Sequence, residues 1–132
     1  MNSKHFNTDT ALLVLRLGLG GMMLTHGIPK LLKGPDLWPH LGSKIQVLGI
    51  DFAHSFFGAA AVGAETIGAL LVMIGLKTRP AAMTIVFTML VAAMMHHDKA
   101  DSWSKVSHPI EVGIGFLAIV IAGAGRYAVE KE

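Results

Sequence analysis

The feature that most constrains this chain is a series of four long apolar stretches, separated by short segments that hold most of the charged residues. A helix that crosses a bilayer needs about 20 mainly apolar residues at a rise of about 1.5 Å per residue, and each stretch approaches that length. Only 15% of the 132 residues are charged, whereas a typical soluble domain has about 25%. The chain is therefore expected to be an all-α integral membrane protein, with four antiparallel transmembrane helices in a single domain, residues 1–132.

The residues that flank the apolar stretches predict where each helix begins and ends. The predicted helices cover about residues 10–32, 51–76, 78–97 and 107–124. Asp9 or Thr8 is the expected N-cap of the first helix. Pro80 and Pro109 are expected in the first turns of the third and fourth helices, where a missing N–H has little cost. The second turn is so short that the second and third helices must be antiparallel neighbours.

The first loop, residues 33–50, is the longest connection and contains several prolines and glycines. It is expected to lie along the membrane interface and to hold a short amphipathic helix around residues 41–48. Four spans place both termini on one side of the membrane, where the basic residues are Lys4, Arg16, Lys77, Arg79, Arg126 and Lys131. The opposite loops contain Lys30, Lys33, Lys44, Lys99 and Lys105. This small excess of positive charge favours cytoplasmic termini.

Composition excludes several functions. The chain has no cysteine, which excludes disulfide exchange, thiolate catalysis, iron–sulfur clusters and thiolate metal sites within it. Its formal net charge is only +2, and no basic run alternates with aromatic residues, so a nucleic-acid partner is not expected. The expected surroundings are the lipid bilayer. Small residues in three of the helices allow close packing inside the bundle and also allow contact between copies in a homo-oligomer.

Ionisable residues within the predicted spans are the candidates for function, because an ionised side chain at a helix centre costs about 2.5–3.5 kcal/mol even on lenient scales. Glu65 lies near the middle of the second span. Arg16, His26 and Lys30 occupy a stripe about 80° wide on the first helix, which should face the bundle. Arg16 and Glu65 lie about 10 Å and about 16 Å from the termini side. One interpretation is therefore an Arg16–Glu65 ion pair that only stabilises the bundle.

The other interpretation is a polar pocket at the loop side of the membrane. The helix bounds bring together His26, His96, His97, His108 and Glu111. Imidazoles with a carboxylate can bind a first-row metal, bind haem axially or relay protons for a reducible ligand. His96 and His97 are weak metal ligands as a pair, because adjacent helical residues point about 100° apart. Histidines at membrane edges also commonly reach headgroup water without any further function.

Four segments of the sequence resemble the DoxX family of small four-helix membrane proteins. They are LLVLRLGLGGMMLTHGIPKLLKG at residues 12–34, GAETIGALLVMIGLKTRPAA at residues 63–82, HPIEVG at residues 108–113 and GAGRYAVEKE at residues 123–132. The resemblance covers nearly the whole chain. One departure is the motif GAGRY, where GPGRY is the commoner form in the family.

The resemblance implies a multi-pass protein of the inner, cytoplasmic membrane that acts as an oxidoreductase component. Related DoxD proteins form the membrane subunit of thiosulfate:quinone oxidoreductase, and other DoxX-like proteins are linked to oxidative or quinone stress. The family's motif residues correspond here to Arg16, His26, Lys30, Glu65, Thr78, Arg79, Glu111, Arg126 and Tyr127.

The sequence and the resemblance together lead to one functional hypothesis: an accessory component of a membrane redox system that binds a quinone or another small apolar redox ligand. Its catalytic residues would be His26 as proton acceptor, Glu65 as buried proton carrier and Glu111 as hydrogen-bond acceptor. Ligand-binding residues would be Arg16, Lys30 and His108, with Arg16 setting the charge state of Glu65. His96 and His97 would hold a metal, if one is bound.

A chain without thiols or an evident flavin motif would need a redox partner protein to supply electrons. The alternative hypothesis is a scaffold or carrier without enzymatic activity, which binds lipid, haem or a divalent metal. In that case the buried charges would serve only to hold the bundle together.

Overall fold

The computed structural model describes residues 6–130 and shows a bundle of helices. The helices are α1 Thr8–Lys33, α2 Trp38–Gly42, α3 His54–Ile74, α4 Thr78–Asp98 and α5 Trp103–Ala122. All except the short α2 are long and apolar enough to cross a membrane. The predicted fold class, an all-α bundle with four transmembrane helices, is confirmed. Lys4, Lys131 and Glu132, which the sequence analysis used, lie outside the described residues.

The outward face of the four long helices is apolar. Large side chains such as Leu17, Ile67, Leu90 and Ile121 are between 47% and 74% exposed. Water would penalise this much exposed apolar surface, whereas lipid chains solvate it. This surface and the four candidate spans identify a multi-pass membrane protein.

The helix N-termini differ from the predicted ones in ways that have local causes. Asn7, with extended backbone, caps α1 by accepting a hydrogen bond from the Thr10 N–H at 2.9 Å, so the predicted caps Asp9 and Thr8 were wrong. Asp9 instead accepts from the backbone N–H of Arg126 at 3.0 Å, which ties the C-terminal tail to α1. Helix α3 begins at His54 instead of residue 51, because the backbone before it passes through a left-handed conformation.

Helix α5 begins four residues earlier than predicted, at Trp103, so that Pro109 lies inside the helix and not in its first turn. Ser102 has an extended backbone and its carbonyl accepts from the N–H groups of Lys105 and Val106. Because proline has no N–H, Pro109 leaves the carbonyl of Lys105 without its usual intrahelical donor. The prediction from hydropathy began the helix at residue 107 because its first turn, residues 103–106, contains polar residues.

The core lies toward the termini side and joins α3, α4 and α5. Val72, Ala82, Ile85, Phe116 and Ile119 are completely buried there. Helices α4 and α5 form the most extensive pair, and the second half of α3 packs against both α1 and α4.

Toward the loop side, α3 and α4 are separated by the first loop. The first half of α3 packs mainly on α2, whereas the 3₁₀ segment Ser43–Leu48 packs on α4. The loop segment was predicted as an amphipathic helix around residues 41–48, and the structure has a 3₁₀ helix there whose Ile45 is buried. Because the loop separates the two helices, the loop-side half of the bundle has room for a cavity.

Candidate functional site

A cavity of about 1170 Å³ lies between the four long helices and the first loop. Most of its wall is apolar and comes from leucine, methionine, phenylalanine, alanine and valine side chains. The ionisable residues in the wall are His26, Lys30, Lys44, Glu65, His96, Lys105 and His108. The cavity thus combines a hydrophobic body with a cluster of ionisable groups.

Glu65 owes its position to a wide turn in α3. Residues Ala64–Gly68 form a π-helical turn, a feature that is rare and often found at functional sites. Gly27 of α1 packs against this turn, and a Cβ atom at Gly27 would overlap the carbonyl of Glu65 and lie 2.8 Å from Cγ2 of Thr66. The absence of a side chain at Gly27 therefore lets the two backbones meet beside Glu65. Glu65 itself is only 4% exposed.

The Glu65 carboxylate is paired with Lys30. Lys30 Nζ lies 2.7 Å from Glu65 Oε2, and the Lys30 side chain is 31% exposed whereas that of Glu65 is 6% exposed. Lys30 thus extends from the loop-side end of α1 into the bundle to reach the acid. The pairing satisfies a buried carboxylate that would otherwise be costly inside the bilayer.

The predicted Arg16–Glu65 ion pair was wrong. Arg16 is 1% exposed. Its guanidinium group donates four hydrogen bonds to backbone carbonyls, which belong to Val72, Met73, Ala124 and Tyr127, at 2.8–2.9 Å. These acceptors are at the C-terminal ends of α3 and α5 and in the tail, on the termini side of Glu65. Arg16 therefore does not line the cavity. It joins the C-terminal end of α3 to the segment that follows α5.

Two histidines face the cavity from different helices. The rings of His26 on α1 and His108 on α5 have centroids 6.1 Å apart. Both residues line the cavity and are exposed. Neutral imidazole offers one donor and one acceptor nitrogen, so this pair can hydrogen-bond a polar group that enters between them.

His96 also lines the cavity, but its ring is engaged by the loop that follows α4. His96 Nδ1 lies 2.8 Å from Asp101 Oδ2. This hydrogen bond, assisted by the nearby positive charge of Lys105, holds the pKa of Asp101 below its ordinary value. His97 is exposed and is not part of the cavity wall. Among residues 6–130, no group of three or more His, Cys, Asp or Glu side chains is close enough to hold a metal ion.

The structure brings five of the predicted site residues to the cavity and leaves three outside it. His26, Lys30, Glu65, His96 and His108 line the wall. Arg16 is enclosed elsewhere, His97 points away, and Glu111 is exposed on α5 outside the lining. His108 and Glu111 share a helix side, but only His108 reaches the cavity.

Sequence reasoning missed two lysines. Lys44, in the 3₁₀ segment of the first loop, and Lys105, in the first turn of α5, both line the cavity. Burial lowers the pKa of Lys44, and the positive charges of Lys30 and Lys99 act in the same direction while Glu65 opposes them. The only available signal was that both lysines lie in loops on the same side of the membrane as His26.

Comparison with known proteins identifies the family of this chain. The DoxX family model matches residues 11–98, which is more than half of the chain. The matched region includes Arg16, Lys30, Lys44 and Glu65. No curated protein and no solved structure matches the chain. The chain, with its four spans and its family match, belongs to the DoxX family.

Proposed function

We propose that this protein binds a quinone, or another small apolar redox ligand, in the cavity and serves as an accessory component of a membrane redox system. The observation that carries this proposal is the cavity itself: about 1170 Å³ of mainly apolar space with a buried ion pair and a pair of imidazoles in its wall. Binding sites for drug-sized ligands are typically about 300–1,000 Å³, mostly apolar, with a few convergent polar groups.

The polar groups fit the chemistry of a quinone head. Quinone carbonyl oxygens accept hydrogen bonds, and the donors in the wall are the Lys30 ammonium group and the imidazole N–H groups of His26 and His108. His26 is the proposed acceptor of a proton when a bound quinol gives up two protons and two electrons. The Lys30–Glu65 pair is the proposed carrier of the second proton, and a separate redox protein takes the electrons. The same groups act in reverse when the ligand is reduced.

Access from the bilayer supports a lipid-soluble ligand. The first half of α3 packs on α2, and the 3₁₀ segment Ser43–Leu48 packs on α4 in place of a close α3–α4 contact. Phe56 on α3 and Phe87 on α4 line the cavity and are 69% and 48% exposed. Since these two cavity-lining side chains are exposed on the outer face of the bundle, we propose that a ligand dissolved in the acyl chains enters beside them without crossing water.

A titration with a benzoquinone that carries a short alkyl tail tests the proposal. The purified protein in non-ionic detergent is expected to bind it, and His26→Ala and Lys30→Gln should each weaken binding about tenfold, because each removes a proposed hydrogen-bond donor to the quinone. Glu111→Gln is the control, because Glu111 is an exposed carboxylate outside the cavity. If all three variants bind like the original protein, the cavity is not the quinone site.

One observation favours a second candidate function, a carrier that binds haem or lipid. Two histidines on different helices face one space with ring centroids 6.1 Å apart, and axial ligation by imidazoles is a common way to hold haem iron. An absorbance spectrum of the purified protein distinguishes the candidates. A Soret band identifies haem, an ultraviolet band that bleaches with borohydride identifies a quinone, and a spectrum without either favours the lipid carrier or scaffold.

We also place the protein in the inner membrane with both termini in the cytoplasm. Arg16 and Lys30 are engaged inside the bundle, so neither should influence orientation. Without Arg16, five of the six basic residues on the termini side remain, and without Lys30, four of the five in the opposite loops remain. The termini side therefore still has the excess of positive charge. Reporter fusions at the C-terminus and in the first loop test this orientation.

A further inference from the structure

The charges in the cavity wall are not balanced. The wall contains three lysines and one carboxylate, and that carboxylate, Glu65, is bonded to Lys30. Within residues 6–130, the side chains of Lys44 and Lys105 form neither a hydrogen bond nor an ion pair. The positive charge of Lys105 helps to lower the pKa of Asp101, but the Asp101 carboxylate is bonded to His96. Two positive charges therefore face the cavity without a bonded counter-ion.

Lys44 occupies the junction between the cavity and a smaller cleft. The cleft measures about 320 Å³, and Lys44 lines both spaces. The remaining cleft residues are mostly polar: His40, Ser43, Gln46, Val47, Met95, Asp98 and Lys99. A polar head at Lys44 would thus have both the cavity and a polar exit at the loop side within reach. This position suits the head of an amphiphile better than the end of an apolar chain.

The opposite end of the cavity is apolar. Leu19 and Met23 of α1 line it, and they lie 11 and 7 residues before Lys30 in the sequence. At about 1.5 Å per residue this places them roughly 10–17 Å deeper in the membrane. Met23 is 3% exposed and Met89 of α4, also in the wall, is 8% exposed. The cavity is thus amphipathic along its length.

We propose that this cavity binds a single-chain amphiphile with an anionic oxygen head, either a carboxylate or a phosphate, whose head lies at Lys44, with Lys105 as a second positive charge in the same wall, and whose chain extends toward Leu19 and Met23. The inference goes beyond the proposed function: it concerns the same cavity but a ligand class that carries an anionic head and need not be a redox compound. The two unbonded ammonium groups complement the anionic head, since charge-assisted hydrogen bonds are stronger than neutral ones. The volume of about 1170 Å³ suits a drug-sized molecule with one chain.

Competition among matched C18 compounds tests the head group. Radiolabelled oleate is bound to the purified protein in non-ionic detergent, at neutral and at mildly alkaline pH, because alkali ionises the acid but also favours loss of the charge of Lys44. Unlabelled oleate and oleyl phosphate are expected to displace it about tenfold better than oleyl alcohol does, and oleylamine is expected to be the weakest competitor. The ratio between oleate and oleyl phosphate tells which anionic head is preferred. If oleyl alcohol or oleylamine competes as well as the acids, the inference is wrong.

Two lysine substitutions and one control locate the effect. Lys44→Gln and Lys105→Gln should reduce the preference for oleate over oleyl alcohol, whereas binding of the alcohol, which needs no cation, should change less than twofold and thereby report an intact fold. Lys33→Gln removes the same charge from an exposed lysine outside the cavity wall, and the preference should survive. Equal loss in all three variants would show a general surface-charge effect and overturn the inference.

The quinone titration separates this inference from the proposed function. If the neutral alkyl benzoquinone binds but the acids have no advantage over the alcohol, the anionic-head inference fails and quinone binding stands. If oleate binds in a Lys44-dependent way and the quinone does not bind, the redox proposal fails and the ligand class stands.

Discussion

At the end of the bundle that carries the termini, Arg16 is enclosed and donates hydrogen bonds to four backbone carbonyls. At the loop end, Lys44 and Lys105 line an open cavity and, within residues 6–130, their side chains have no bonded partner. In the sequence all three are basic residues in or beside apolar stretches. The environment differs because the first end is closed by helix termini that offer free carbonyls, whereas the second is held open by the loop between α3 and α4.

This contrast distinguishes charged side chains that stabilise the fold from charged side chains that are available to a ligand. The last carbonyls of a helix have no intrahelical donor, and Arg16 satisfies carbonyls near the ends of α3 and α5. A charge whose hydrogen bonds are met by the backbone contributes to stability. A charge that faces an apolar cavity without a bonded counter-ion is more useful for binding.

The largest effect on stability is expected at the termini end of the bundle. Arg16→Met removes four hydrogen bonds to buried and partly buried backbone carbonyls, which should lower the free energy of unfolding by about 3 kcal/mol or more. Arg16→Lys retains the charge but not the planar fork of donors, so its loss should be intermediate. Unfolding in mixed micelles measures both. Equal stability of the Met variant and the original protein would show that this end is not the structural one.

The next effect concerns the contact that places Glu65 in the cavity wall. Gly27→Ala would introduce a Cβ atom that overlaps the Glu65 carbonyl, and the required backbone shift should cost about 1–3 kcal/mol and weaken ligand binding. Gly18→Ala on the same helix is the control, since no atom lies within 4 Å of the new Cβ. Its stability should stay the same or rise slightly, because alanine favours helix. Similar losses in both variants would exclude the close approach as the cause.

A smaller effect is expected from the ion pair in the cavity wall. Lys30→Gln, Glu65→Gln and the double variant form a cycle whose coupling energy should be about 1 kcal/mol, because the Lys30 side chain is 31% exposed and its charge is partly screened. Denaturation of the four proteins under one condition gives this value. A coupling energy near zero would show that the pair does not hold Glu65 in place.

The smallest effect concerns the tail that closes the termini end. Glu130 accepts hydrogen bonds from the backbone N–H and from Nζ of Lys77, at 2.9 Å and 3.1 Å, and these contacts hold its pKa below the ordinary value of 4.5. The stability from this contact is therefore fully present above about pH 4.5 and is lost as the pH falls through the lowered pKa of the folded state. Glu130→Gln should make unfolding slightly less sensitive to pH in this acid range. An unchanged pH profile would show that the tail adds no measurable stability.

The fold was predictable from the sequence to a large degree, and the site only in part. The four spans follow from apolar length, and the Gly75–Thr78 turn follows from its short connection. His26, Lys30 and Glu65 were predicted as site residues and do line the cavity. The partner of Glu65 was not predictable, because counting depth along ideal helices cannot place a π-helical turn or show that Arg16 meets helix ends first.

The sequence by itself determined that this chain is a four-span membrane bundle with ionisable groups at fixed depths, because hydropathy and helix rise are properties of the chain read in one dimension. The tertiary structure decided which of those groups meet. Rotation of each helix, the backbone contact at Gly27 and the insertion of the first loop between α3 and α4 enclose Arg16 and leave Lys44 facing a cavity. These outcomes depend on packing between segments distant in the sequence, which no local pattern records.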